Sequence, residues 1–472
     1  MRLPPGPSQF GNLLLAPKFL RDPRGPINEM TARYGLTWRG RIVDQRGVVD
    51  LVWLMGPRGN ERILSPRHKD DFSWYEGYSF SMESLFGRDI LFLLDDDLGG
   101  GPGGESGGAH RQRHKLLIPS FHPRLDGAYL PEMAAIIGRY LDGLQTGESP
   151  GQAPGQPPGQ PVDLQWLIKR VTFHIVTQLL FGAEEKDLAH LTHLFEEVGL
   201  GLFALVRWDL PGLSFGRAKR ARAELARYIK GRIDWYRSTG ATPPTLLGQL
   251  MQAQAAAAGQ PGGLPDESLI AEILAFLFAG YDTTSSMLTS LLVALGEDPA
   301  VLADLTDELR QADGSALRRG ELPDQPLLDA VLLEAERLYP PLLFAMRGTR
   351  ADIEYDGYHI PAHTKVAYSP YYTGRMPELF PDPLRFDPRR FLGKKPQPYT
   401  LLGFGGGHRV CIGKRFAGLE MRLFLNLLLG RFELTPQPQD LTAVFFNPTL
   451  QRKHGYWVTL RPRPGADPVQ AA

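Results

Sequence analysis

Residues Gly403–Gly413 read GFGGGHRVCIG and carry the one cysteine of a 472-residue chain, set between a run of glycines and basic side chains. A cysteine that only fills core space behaves as a small hydrophobe, and needs neither permissive backbone before it nor cations beside it. Apolar residues at helical spacing resume immediately afterwards, in GKRFAGLEMRLFLNLLLGRF from Gly413 to Phe432. A thiol just ahead of a helix N-terminus, with Arg409 nearby, is expected to have its pKa lowered and to serve as an anionic ligand. Phe404 can shield the sulfur from water. Taken alone, these residues leave open an inert cysteine in a glycine-rich turn.

Working outward, one cysteine excludes an internal disulfide framework and any site of clustered cysteine ligands, and points to a reducing compartment. Lys plus Arg (52) equals Asp plus Glu (52), so no overall charge draws the chain to nucleic acid or to an anionic membrane. The first residues, MRLPPGPSQFGNLLLAPKFLRDP, are broken by proline and glycine, so that neither a signal peptide nor a membrane anchor is expected. Residues 99–108 and 150–161 are low-complexity tracts, expected as loops within a single domain spanning residues 1–472, and 463–472 are expected to form a short disordered tail.

Helical periodicity dominates elsewhere, in six long stretches that begin near residues 130, 162, 218, 266, 326 and 413. Strand-like alternation is confined to VVDLVWLMG (48–56), IEYDGYHIPAHTKVAYSP (353–370) and HGYWVTLRPRP (454–464). The fold class is therefore mainly α with small β-sheets.

Phe404, Gly407, Arg409, Cys411 and Gly413 fall in the frame F-x-x-G-x-R-x-C-x-G. This resembles the haem-binding signature of the cytochrome P450 monooxygenases, and the likeness extends from about Pro4 to Pro462. The resemblance implies a cytochrome P450 fold, a triangular prism with α-rich and β-rich regions around a buried haem, with Cys411 as the iron ligand. Glycines ahead of the cysteine would let the loop approach the flat macrocycle.

AGYDTT, Ala279–Thr284, interrupts the most apolar helical stretch. A Thr283 hydroxyl can bond back to the Ala279 carbonyl and, with Gly280, open the helix locally. By resemblance Asp282 and Thr283 would relay protons during dioxygen cleavage. In EAER, Glu334 and Arg337 stand at i, i+3 on one helix face. The family pattern makes them a buried structural trio with Arg390 of FDPRRF. It also assigns Arg409, Arg347 of FAMRGTRAD and His110 of AHRQRHKLL to the haem propionates. His114 stands where the family usually has arginine, while Arg113 precedes it, so either is a candidate for that contact. His363 replaces a frequent glycine.

Resemblance places Phe276, Leu342, Leu343, Phe344 and Phe446 on the walls of an apolar pocket, suited to an isoprenoid, carotenoid or fatty acid. Residues 206–217 are expected to form an access loop with Trp208, Leu213 and Phe215 exposed, able to touch membranes transiently. Arg111, Arg113, Lys115, Lys394, Lys395, Lys414 and Arg415 are expected to cluster as a dock for an acidic ferredoxin or flavodoxin, with a reductase supplying electrons from NAD(P)H. The reading is a monomeric cytoplasmic monooxygenase, without nucleic-acid partner or transmembrane anchor. The alternatives are a peroxygenase or haem-thiolate isomerase, and a non-enzymatic haem-bound sensor or lipid carrier.

Overall fold

The chain's structure is a computed structural model that describes residues 2–464 apart from 45, 96–107, 123–125, 147–159, 203, 205, 242–243, 257–263, 313–315, 317–320 and 447–448. Most of both low-complexity tracts and of the tail thus lie outside the described residues. The helices described are α1 (Gln9–Arg21), α2 (Arg24–Tyr34), α3 (Gly56–Leu64), α4 (Trp74–Phe86), α5 (Ala109–Leu117), α6 (Asp126–Thr146), α7 (Leu164–Phe181) and α8 (Leu188–Leu202). They continue with α9 (Ser214–Thr239), α10 (Leu246–Ala256), α11 (Asp266–Glu297), α12 (Pro299–Gln311), α13 (Pro326–Leu338), α14 (Pro370–Thr373) and α15 (Lys414–Arg431).

A helix that is apolar on all sides has to be buried on all sides. α11 meets that condition by passing through two cores. Its first half, Leu269–Phe278, packs with α7, α8 and α9 around Phe173, Phe195, Leu225 and Ile229. Its second half, Met287–Leu295, packs with α6, α7 and α15 around Ile137, Leu167, Phe424 and Leu428. The polar AGYDTT segment falls where the helix passes from one core to the other.

The strands are β1 (Thr37–Asp44), β2 (Gly47–Leu54), β3 (Phe72–Ser73), β4 (Val162–Asp163), β5 (Ala345–Thr349), β6 (Ile353–Tyr355), β7 (Tyr358–Ile360), β8 (Lys365–Tyr368), β9 (Phe432–Pro436), β10 (Val444–Phe446), β11 (Leu450–Arg452) and β12 (Trp457–Pro462). The largest sheet has the order β1-β2-β8-β5-β3, with β2 and β8 parallel and its other pairs antiparallel. It sets Arg347 opposite Val366, on a strand whose neighbour β3 leads directly into α4. β4-β12-β9 and the hairpins β6-β7 and β10-β11 complete the β structure described. Left-handed backbone at His363 (φ 60°) explains why glycine suits that position.

The access segment differs from expectation at Phe215. Trp208 is 68% exposed, but Phe215 is buried because α9 starts at Ser214 and turns the ring into the core of α8 and α9. Leu210 folds back onto this first turn, where a Cβ on Gly216 would lie 2.1 Å from the Leu210 carbonyl oxygen. Leu213 is half-buried. Among the described residues, no single helix is long and apolar enough to cross a membrane.

Candidate active site

The cysteine loop is held from three directions. Gly405 and Gly407 are left-handed (φ 69° and 66°), and a Cβ on Gly407 would lie 1.9 Å from the carbonyl oxygen of Leu64 at the end of α3. Only glycine fits there. The Cys411 amide donates to the Phe404 carbonyl (2.9 Å), closing the loop, and the Lys414 amide donates to the Cys411 carbonyl (3.2 Å) as α15 begins. From above, the buried Glu336 carboxylate accepts the backbone N–H groups of Gly403 and Phe404. Lys414 Nζ lies 3.7 Å from Glu336 and 5.1 Å from the centre of the Phe404 ring.

α13 anchors this arrangement. Arg337 donates twice to Glu334, each bond 2.7 Å, and both side chains are fully buried. Arg390 Nε and the Asp387 amide add bonds of 3.0 and 2.8 Å to the same carboxylate. Arg337 spends its remaining donors on the carbonyls of Gly374, Pro383 and Arg385. The one carboxylate serves both guanidiniums, and backbone carbonyls accept from their remaining N–H groups, the condition under which buried ions are tolerated.

The Cys411 thiol is accessible, yet the protein around it desolvates it enough to push its pKa up. The amides of Gly413 and Lys414 and the Lys414 charge oppose that rise without reversing it. The expected lowering is thus overturned for the free thiol, because burial disfavours the thiolate more than the helix start favours it. Arg409 contributes little, since it turns away to the Leu94 carbonyl (2.7 Å) and Asp95 (3.8 Å). A metal ion would displace the proton on binding.

Arg347 and Arg409 converge from β5 and the cysteine loop on the ring of Trp74, at 3.5 and 5.5 Å from its centre. The Trp74 indole N–H is buried and has no hydrogen-bond partner. A pocket lined by Trp74, Asp95, Arg347, Arg350, His408 and Arg409 opens here. On α5 the rings of His110 and His114 lie 5.8 Å apart. His114 is held below the usual histidine pKa by burial and then by the Arg409 charge. Arg113 is not with them. It is buried in a pair with Glu272 of α11 (2.6 Å) and with Asp89 (3.0 Å), because its place on α5 faces α11. Arg113 is thereby removed both from the propionate candidates and from the exposed cations, of which Arg111, Lys115, Lys394, Lys395, Lys414 and Arg415 remain.

In α11, Ala279, Gly280, Asp282 and Thr283 are partly accessible within an otherwise buried stretch. The Thr283 hydroxyl donates to the Ala279 carbonyl (2.5 Å), while the helix stays continuous, so the expected local opening is a side-chain bond and not a break. A Cβ on Gly280 would face Val176 of α7 at 3.4 Å. Asp282 turns aside to accept from Gln451 Nε2 of β11 (3.2 Å), with Lys169 Nζ of α7 at 3.8 Å. Burial holds its carboxyl above the usual range against both partners.

The pocket candidates separate into two groups. Phe276 is buried between Phe92 and Phe121. Phe344 stacks on Phe446 (6.4 Å) and packs against Phe19 and Trp53, while Phe446 pairs across its hairpin with Leu450, whose carbonyl accepts from Ser286 of α11 (2.8 Å). Leu343 is buried and Leu342 is 40% exposed.

The family model for cytochrome P450 matches residues 84–458. The chain belongs to the cytochrome P450 family. A putative cytochrome P450 120 of a Synechocystis strain is 33% identical over 374 residues, 75% of this chain and 78% of that one. The taxane 13-alpha-hydroxylase of Taxus cuspidata is 29% identical over 451 residues, 92% and 86% of the two chains. The structure of a retinoic acid-bound cyanobacterial CYP120A1 superposes with a TM-score of 0.82 at 28% identity, covering 98% of this chain and 100% of that one.

Membership makes this P450 a haem-dependent oxidoreductase, and its residues fit the group. An accessible thiol, a glycine cradle, two arginines and an unmatched buried N–H together suit an iron-bearing ring with two carboxylates. Sequence reading missed Trp74, Glu336, Lys169 and Gln451. Only Glu336 had a signal, as the second acid of EAER.

Proposed function

We propose that this P450 hydroxylates an elongated isoprenoid, using dioxygen and electrons delivered from NAD(P)H by a separate ferredoxin or flavodoxin with its reductase. Bound through Cys411, haem b would supply dioxygen activation and transfer of one oxygen atom to a C–H bond. The roles of the chain's own residues follow from their positions. Arg347, Arg409, the Trp74 indole N–H, His110 and His114 would neutralise and orient the propionates. Phe404, the glycines of the loop and Gly413 would hold the sulfur in place, while Glu334, Arg337 and Arg390 keep the loop in register. Ala279 and Gly280 would line the oxygen side. There the Thr283 hydroxyl holds a proton that it can release toward the reacting oxygen, and Asp282, steadied by Gln451 and Lys169, would replenish it.

The observation that carries this reading is a partly accessible Thr283, bonded to the Ala279 carbonyl beside an Asp282 whose carboxyl is held above the usual range by desolvation. An isomerase or a carrier, which cleaves no dioxygen, has no use for such a proton route; a peroxygenase is distinguished instead by needing no reductant. For the substrate, support comes from relatives: taxanes and retinoic acid, named with two of them, are both isoprenoids. Phe276, with Phe92 and Phe121 around it, is the favoured wall, and Leu342, Leu343, Phe344 and Phe446 would line another side of the site. Six exposed cations, at Arg111, Lys115, Lys394, Lys395, Lys414 and Arg415, suit an acidic electron donor. The protein is read as a cytoplasmic monomer that touches membranes only at the loop bearing Trp208.

Titration of the haem-loaded protein with retinoic acid, a taxane and a long-chain fatty acid tests this. The isoprenoids are expected to shift the iron spin state and to yield a product bearing one added oxygen, only when NAD(P)H, donor and dioxygen are all present. A product formed without reductant, or a shift with the fatty acid alone, would contradict it.

A further inference from the structure

Arg113 and Glu272 lie 159 positions apart and meet at 2.6 Å, with side chains 8% and 0% exposed. Neither belongs to the proton route or to the cysteine loop. Both reach into the segment between α4 and α5. Arg113 donates to the Asp89 carbonyl (3.1 Å) and to both Asp89 carboxylate oxygens (3.0 Å each). Glu272 accepts the Leu91 amide at 2.8 Å, and Ser268, one turn earlier on α11, donates to Asp89 at 2.7 Å. Next in the segment comes Phe92, whose ring meets Phe276 edge-on at 5.7 Å, one turn beyond Glu272. Leu94 and Asp95 are tied as well: Arg409 donates to the Leu94 carbonyl, and Asp95 accepts the Ser73 hydroxyl and the Trp74 amide.

A buried ion pair of this kind contributes little net stability over apolar residues of the same size, but it fixes geometry tightly because every departure strands a charge. We propose that the Arg113–Glu272 pair is a latch that positions residues 89–95, holding Phe92 against Phe276 and so setting one wall of the substrate site. Arg113 is a positioning residue, acting through the segment and through Glu272. The assignment of that wall to substrate rests on the function proposed above; the latch itself rests on the hydrogen bonds.

The test uses the haem-loaded protein with Arg113→Gln, Glu272→Gln, and the paired Arg113→Met/Glu272→Leu variant, which removes both charges together and so keeps the fold if either single change does not. Hydrogen exchange at the Leu91 amide reads the latch directly and is expected to quicken by about tenfold or more in every variant. Retinoic acid and imidazole are the two ligand probes. Retinoic acid affinity is expected to fall about tenfold in each variant, no further in the paired one, while imidazole, which needs no wall, stays within about twofold. Haem content is expected to be unchanged. Unaltered Leu91 exchange would overturn the latch. So would haem loss in Arg113→Gln with none in Glu272→Gln, because that pattern belongs to a propionate ligand. If the wild type ignores retinoic acid while Leu91 exchange quickens in all variants, the latch stands and the isoprenoid reading fails.

Discussion

Thr283 has a hydroxyl whose hydrogen bond to Ala279 fixes its oxygen against the helix. Alanine at this position removes the hydroxyl, and with it the proton, while being a better helix former. Thr283→Ala is therefore expected to leave haem binding and fold intact, while product per NAD(P)H consumed falls by about tenfold or more and peroxide appears instead. Simultaneous measurement of NAD(P)H use, peroxide and product checks it; unchanged coupling would contradict the proton role of Thr283, and no NAD(P)H use at all would favour the isomerase or carrier readings. Thr283, Cys411 and the Glu334–Arg337 pair were legible because their partners stand within a few residues in the chain. Trp74 was not, since its partners Arg347 and Arg409 come from segments more than 270 positions away.

Elements carry these residues through constraints that single positions do not show. The cysteine loop approaches α3 so closely that Gly407 has no room for a methyl group, and its φ of 66° adds strain for any other residue. Gly407→Ala should cost about 1–3 kcal/mol and lower the haem retained after purification. Gly418→Ala on α15, where a Cβ would meet nothing within 4 Å, should be neutral or slightly stabilising. Thermal melting and pigment content of both variants decide between a steric requirement at Gly407 and a general intolerance of an added methyl group. The six long helices were readable because periodicity is a local property. Arg113 was misplaced because its basic neighbours suggested a charged face, and only α11 packing across α5 supplies the acid that buries it.

At the scale of the whole molecule, burial of ionisable groups couples folding to pH. His174 is buried beside Tyr140, and burial holds its pKa down at about 4. The unfolded chain takes up that proton below about pH 6.5 while the fold refuses it, so stability falls as pH drops from about 6.5 to about 4. The loss should reach about 3 kcal/mol and be absent in His174→Leu. Glu272 and Glu420, both pushed up to about 7 by burial, act in the opposite sense, favouring the fold at low pH and ceasing to as pH rises through 7. Urea midpoints of wild type and variant across pH 4–7 isolate the histidine, and parallel curves would contradict its assignment. On the function proposed above, the two cores and the five-stranded sheet would surround an iron-bearing ring held through Cys411. The most direct test is the absorption spectrum of the reduced, carbon monoxide-treated protein. The wild type should show the red-shifted band of a thiolate-ligated haem and Cys411→His should lose it; an imidazole-type band in the wild type would contradict the account.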